Sequence, residues 1–146
     1  MQERFDTFTI LITKINRCIH KIKAVEMLEH NIKGSHVSCL YYLYKAKSLT
    51  AKELCDICAE DKAAMSRSID YLEKNGFISC DSNAKKRYKA VLTLTEKGIK
   101  TGEDIVKKID AVLGVSSEGL TADERNSLYH GLEVICANLE KICENY

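Results

Sequence analysis

Proline and tryptophan are both absent from the 146 residues. Without proline there is no Pro-rich linker and no polyproline segment, and the chain suits a mainly helical structure. No apolar run approaches the roughly 18 residues needed to cross a bilayer, so no membrane partner is expected. The first residues set Glu3, Arg4 and Asp6 within an amphipathic pattern. That is not the basic-then-apolar layout of a signal peptide, and a cytoplasmic location is expected. A large net charge is missing too, since 22 basic and 21 acidic side chains leave only +1. Cysteine, by contrast, is plentiful: Cys18, Cys39, Cys55, Cys58, Cys80, Cys136 and Cys143. An odd number scattered through helical patterns does not read as a disulfide framework, and free thiols are expected. With 45% hydrophobic and 29% charged residues, the chain reads as one globular domain over 1–146, not as a disordered segment.

The charge is unevenly spread. Residues 1–44 carry 6 basic and 4 acidic side chains, residues 45–100 carry 12 and 8, and residues 101–146 carry 4 and 9. A basic middle beside an acidic C-terminal part suits a segment that neutralises phosphates. Chance asymmetry explains the same figures equally well.

Residues 4–28 read as a long helix, with Phe5, Phe8, Ile12, Ile15, Ile19 and Ile22 recurring at steps of three and four. A break around Gly34 precedes a second helix over 35–46, which sets Val37, Leu40, Tyr41 and Tyr44 on one side. Thr50-Ala51-Lys52-Glu53 is a capping box that opens a short helix over 51–58. After a tight turn at Ala59-Glu60, Asp61 caps a helix over 62–74, with Met65, Ile69 and Leu72 facing inward. Asn75-Gly76 ends it. Residues 77–80 and 90–94 read as strands joined by a polar turn, and a short strand at 48–49 is placed to pair with them. Thr95 caps a helix over 96–113, and 114–119 reads as a Gly/Ser-rich break. A second capping box, Thr121 to Glu124, opens a last helix over 122–143 with Leu128, Leu132, Ile135, Leu139 and Ile142 in a stripe. The expected class is mainly α, of the α+β kind: a helix-turn-helix with a small hairpin wing and a helical region from the two chain ends.

The helix over 62–74 leaves Lys62, Ala63, Ser66, Arg67 and Asp70 away from its core face. Small residues at its start let the backbone approach a groove wall, and Lys62, Ser66 and Arg67 can donate to phosphates or base edges. The hairpin tip reads Lys85-Lys86-Arg87-Tyr88-Lys89, four cations in five residues. An arginine there suits a narrow minor groove, where the potential is most negative. The competing reading of the tip is a solvated surface turn.

Leu49-Thr50, Glu53-Leu54, Met65-Ser66-Arg67, Leu72-Glu73-Lys74, Gly76-Phe77-Ile78, Arg87 and Leu94-Thr95-Glu96-Lys97-Gly98 together resemble the MarR family of winged helix-turn-helix regulators. The resemblance implies a sequence-specific DNA-binding regulator: a homodimeric repressor of a pseudo-palindromic operator in double-stranded DNA, released by a small-molecule effector. It implies a DNA-binding lobe over 35–100, with dimerisation by 1–30 and 101–146 through Phe5, Phe8, Ile12, Leu128, Leu132, Ile135 and Leu139. It implies DNA contacts from Thr50, Lys52, Lys62, Ala63, Ala64, Ser66, Arg67, Asp70, Lys85, Lys86, Arg87 and Tyr88. It also implies an effector pocket between the two regions, for which Cys18, Cys39 and Tyr42 are the candidates, although core or interface packing explains them as well. One departure stands out. The family wing often carries an acid just before the arginine, and here Lys86 occupies that place.

Other chemistries find less support. Cys18 lies farther into the first helix than the sensing cysteine of oxidant-responsive relatives, and packing is the favoured reading. Cys55-Asp56-Ile57-Cys58 resembles a CxxC motif, yet no second pair accompanies it, so core packing is preferred to metal or redox chemistry. His20, His30, His36 and His130 are widely separated. No nucleophile-base set or phosphate loop stands out, so neither an enzyme nor a cofactor is expected. Two alternatives stay open: a redox- or metal-responsive regulator of the same fold, and a winged-helix protein-interaction module that never touches DNA.

Overall fold

A computed structural model describes residues 2–26, 30–81 and 87–146. The elements follow in the order α1 (Gln2–Glu26), α2 (Gly34–Ala46), β1 (Ser48–Thr50), α3 (Ala51–Cys58), α4 (Lys62–Lys74), β2 (Ile78–Cys80), β3 (Val91–Leu94), α5 (Glu96–Ser116) and α6 (Ala122–Cys143), with a single 3-10 turn at Arg87–Lys89. Contacts divide the chain, read from its sequence as one domain, into two compact units, Met1–Lys108 and Ile109–Tyr146.

In the first unit α2, α3 and α4 pack on one another and on a three-stranded antiparallel sheet in the order β1-β3-β2. The expected extra strand is present and reaches one residue further than expected, pairing Ser48 with Thr93 and Thr50 with Val91. Leu40 and Leu43 of α2, Leu54 of α3, Met65 and Leu72 of α4, Leu92 of β3 and Ile105 of α5 are all fully buried. These residues make one closed core; the periods place Leu40, Met65 and Leu72 in it, whereas Leu43, Leu54 and Ile105 join it without having been singled out in the sequence.

The joint between α4, β2 and α5 explains why the motif around Gly98 needs its residue types. Gly76 follows α4 at φ +74°, a conformation that glycine adopts without strain. The Thr95 hydroxyl donates to the Gly76 carbonyl at 2.6 Å and accepts from the Gly98 N–H at 3.1 Å, so it caps α5 as expected. Lys97 Nζ donates to the Asn75 carbonyl at 2.8 Å and sits 4.1 Å from the Phe77 ring centre. Any Cβ on Gly98 would run into the Phe77 backbone carbonyl, so this first turn of α5 tolerates only glycine at that contact.

At the head of the lobe, the Lys33 N–H donates to His36 Nδ1 at 3.0 Å, the reverse half of a capping box with histidine in place of glutamate. The His36 ring is buried and stacks on Tyr71 at 4.3 Å, and the Tyr71 hydroxyl donates to the Asn31 carbonyl at 2.6 Å.

The second unit holds the end of α5 and all of α6. The expected break at Gly114 is not there: α5 continues to Ser116. A lone glycine costs a helix only about 1 kcal/mol, and the chain turns later, at 117–121, where the Thr121–Glu124 capping box starts α6 with Thr121 N donating to Glu124 Oε2 at 2.8 Å.

Candidate nucleic-acid interface

α3 is held at its start by a reciprocal cap. Thr50 Oγ1 accepts from the Glu53 N–H at 3.2 Å, while Glu53 Oε2 accepts from the Thr50 N–H at 2.7 Å and from its hydroxyl at 2.8 Å. The backbone bond first, and then the hydroxyl, holds the Glu53 carboxyl below its ordinary range. Thr50 is thus occupied by the cap, while Lys52 beside it is exposed. The helix closes at Ala59, whose φ of 51° lies in the left-handed region. That turn sets the direction of the next helix.

α4 begins at Asp61, whose carboxylate accepts from the Ala64 N–H at 2.9 Å. This bond first, and then the Ala63 N–H and the Arg67 charge, keep Asp61 ionised below its usual range. Met65, Ser68, Ile69 and Leu72 are buried. Lys62, Ala63, Ser66, Arg67 and Asp70 are exposed, turned from the core as the period predicts, and Ala64 is half-buried. Lys62 and Arg67 give that face its positive charge, and Ser66 gives it a neutral donor.

The wing meets α4 through Tyr88. Lys62 Nζ lies 4.6 Å from the Tyr88 ring centre, and the 3-10 turn that carries Tyr88 packs against α3. Ala51, Lys62, Ser66, Ile69, Tyr88 and Leu92 line a recess of about 140 Å³ there. Tyr88 is therefore a tie between wing, α3 and α4 more than a free tip residue. The sequence shows only an aromatic among cations, which gives no sign of this tie. Below it β2 and β3 are in register, Ile78 with Leu94 and Cys80 with Leu92. The strands are shorter than expected, and Phe77 and Ala90, read as strand residues, are buried just outside them. Lys85 and Lys86 lie outside the described residues, and of Arg87 only the backbone at the start of the 3-10 turn is described.

Two helices across a tight turn, a three-stranded sheet and a wing clasped to the second helix match a known domain. The winged helix DNA-binding domain family model covers residues 36–113. The chain belongs to that family. An HTH-type transcriptional regulator of Bacillus subtilis, YwhA, is 24% identical over 111 residues, which are 73% of this chain and 80% of that protein. A MarR family transcriptional regulator from Listeria monocytogenes, solved with a 26mer DNA, superposes at a TM-score of 0.81 with 28% identity, covering 88% of this chain and 85% of that one. A MarR family regulator from Neisseria meningitidis shares the fold at 0.83, with 20% identity over 98% of this chain and 99% of that one. The protein is a transcriptional regulator with a winged-helix DNA-binding domain of the MarR type, and its family and fold are not those of an enzyme.

In this MarR-type chain the helices outside the winged helix bury little. None of the described residues of α1 is buried, and Ile12, Ile15, Ile19 and Ile22 stand exposed with Phe8 half-buried. The side chain of Phe5 lies outside the description. α6 buries no residue: Leu128, Ile135 and Leu139 are exposed and Leu132 is half-buried. The effector-pocket candidates are dispersed in kind. Cys39 is completely buried in α2, Tyr42 is half-buried beside Cys58, and Cys18 is exposed on α1 with no hydrogen bond or ion pair among the described residues. His30 pairs with Asp104 at 2.8 Å. No described helix is long and apolar enough to cross a membrane.

Proposed function

We propose that this regulator is a cytoplasmic homodimeric repressor that binds a pseudo-palindromic operator with α4 in the major groove and the wing alongside. The observation that carries the reading is the outer face of α4. Its cations Lys62 and Arg67, with Ser66 between them, stand in solvent on a helix whose other side is locked into the core. A recognition helix reads base edges with its N-terminal residues, and these are the N-terminal residues of α4. Thr50, Lys52, Ala63, Ala64, Asp70, Lys85, Lys86, Arg87 and Tyr88 complete the proposed contact set. The Listeria relative solved with DNA supports the same use of the fold.

The homodimer is supported by α1 and α6, whose apolar stripes lack cover within the single chain. Two copies would offer two recognition helices to half-sites about one helical turn apart. Repression and release by a small effector are what the MarR-type membership implies, and Cys18, Cys39 and Tyr42 remain the proposed pocket residues. Selection of bound sequences from a random duplex pool tests the proposal. An enriched palindrome bound with a steep salt dependence is expected. A pool that stays unenriched, with salt-independent binding, would leave the protein-interaction module as the better reading.

A further inference from the structure

The exposed face of α4 is not uniform. Each helical residue turns by about 100°, so Ser66 lies about 40° round the helix from Lys62 and Arg67 about 140° round. Met65, Ile69 and Leu72 hold the opposite side in the core. Ala63, Arg67 and Asp70 therefore form the crest of the outer face, while Lys62 and Ser66 lie on the flank next to Ile69. That flank meets the wing. Lys62, Ser66 and the half-buried Tyr88 stand over a recess of about 140 Å³, which the buried Ala51, Ile69 and Leu92 also line.

Lys62 is held in this recess from the wing side. Its Nζ lies 4.6 Å from the Tyr88 ring centre, and no carboxylate pairs with it among the described residues. The neighbouring Asp61 carboxylate accepts from the Ala64 N–H. An ammonium has three donors, and a ring beneath it limits its wandering while leaving donors free for an anion in front.

We propose that Lys62 and Ser66 clamp one backbone phosphate of the bound duplex, with Tyr88 positioning Lys62, and that base reading falls to Arg67 and Asp70 on the crest. The proposal rests on the DNA-binding reading of α4 and divides its labour. A helix about 10–12 Å across fills a major groove about 12 Å wide, so its crest meets base edges and its flanks meet the sugar-phosphate walls. Contacts to the walls fix register, and contacts to base edges carry sequence. The side chains suit these places. Lysine is a compact point charge, and the serine hydroxyl is a small donor beside it. Arginine presents a planar fork that matches guanine O6 and N7, and a carboxylate accepts from cytosine N4 while phosphate repels it. Tyr88 contributes through its ring and through Lys62.

Selection from a random duplex pool with the full chain, repeated for Lys62→Ala and Arg67→Ala, tests the division. Lys62→Ala should select the parent's sequence, bind matched and scrambled duplexes about fivefold more weakly alike, and lower the salt slope by about 1. Arg67→Ala should lose preference at one or more base positions. Tyr88→Phe should bind as the parent does. Tyr88→Leu should weaken binding about threefold and have no further effect once Lys62 is alanine. The proposal is overturned if Lys62→Ala changes the selected sequence, if Arg67→Ala keeps it, or if Tyr88→Leu costs as much without Lys62 as with it. A parent that binds no duplex overturns the DNA-binding reading as well, whereas the other contrary outcomes leave that reading standing.

Discussion

The winged-helix lobe and the long helices α1 and α6 are written in the same apolar periodicity but treat it in opposite ways. In the lobe the stripes of α2, α3 and α4 close on each other and on the sheet, leaving Leu40, Leu54 and Leu72 with no exposed surface. In α6 the stripe buries nothing, and Leu139 and Ile142 keep about half their surface in water. A large apolar side chain left in water forgoes roughly 1.5–3 kcal/mol, and α1 and α6 each carry several. Periodicity announces that a face will be covered, and only the packing shows whether the cover lies within the chain. The lobe supplies its own partner, while the stripes of the two long helices stay exposed.

The largest effect should come from emptying the closed core. Leu72→Ala is expected to cost about 3 kcal/mol in denaturant unfolding, whereas Leu139→Ala should cost a dilute, dissociated chain well under 1 kcal/mol. Equal costs for the two would erase the contrast. Next, Ile135→Asp with Leu139→Asp should weaken self-association about a hundredfold in sedimentation while the lobe keeps its helical circular dichroism. A double variant that sediments like the parent would show that this face is not covered by a second copy.

Gly98→Ala sharpens the comparison from inside the lobe. Its Cβ would meet the Phe77 carbonyl, and a loss of about 2 kcal/mol is expected. Gly131→Ala on α6, with nothing near its Cβ, should be neutral or slightly stabilising.

The smallest effect is a pH dependence confined to the lobe. Burial first, and then Lys33, lowers the His36 pKa from its ordinary 6.5. The folded state therefore favours the neutral ring that accepts the Lys33 N–H, and the unfolded chain protonates first. The contribution is fully present above pH 6.5 and is lost as the pH falls from there to the lower folded value. Stability measured against pH should decline below that point and decline less in His36→Gln, and an identical profile in the variant would remove the assignment.

Much of this architecture was legible before the structure. The bounds of α3, α4 and α6 follow from Thr50, Asp61 and Thr121, because a cap is a local signal written in adjacent residues. The outward residues of α4 follow from its period. Gly114 misled because a single glycine is a weak stop when the helix around it is otherwise favourable. The Tyr88 clasp was not legible. It joins elements distant in sequence, and no local spacing encodes which ring will be opposite.

The central claim is that the exposed N-terminal face of α4 reads DNA, and affinity measured against salt tests it most directly. Lys62→Ala with Arg67→Ala should weaken binding to the selected duplex at least about tenfold and lower the salt slope by about 2, with folding unchanged by circular dichroism. A double variant that binds as tightly as the parent, with the same slope, would contradict the account.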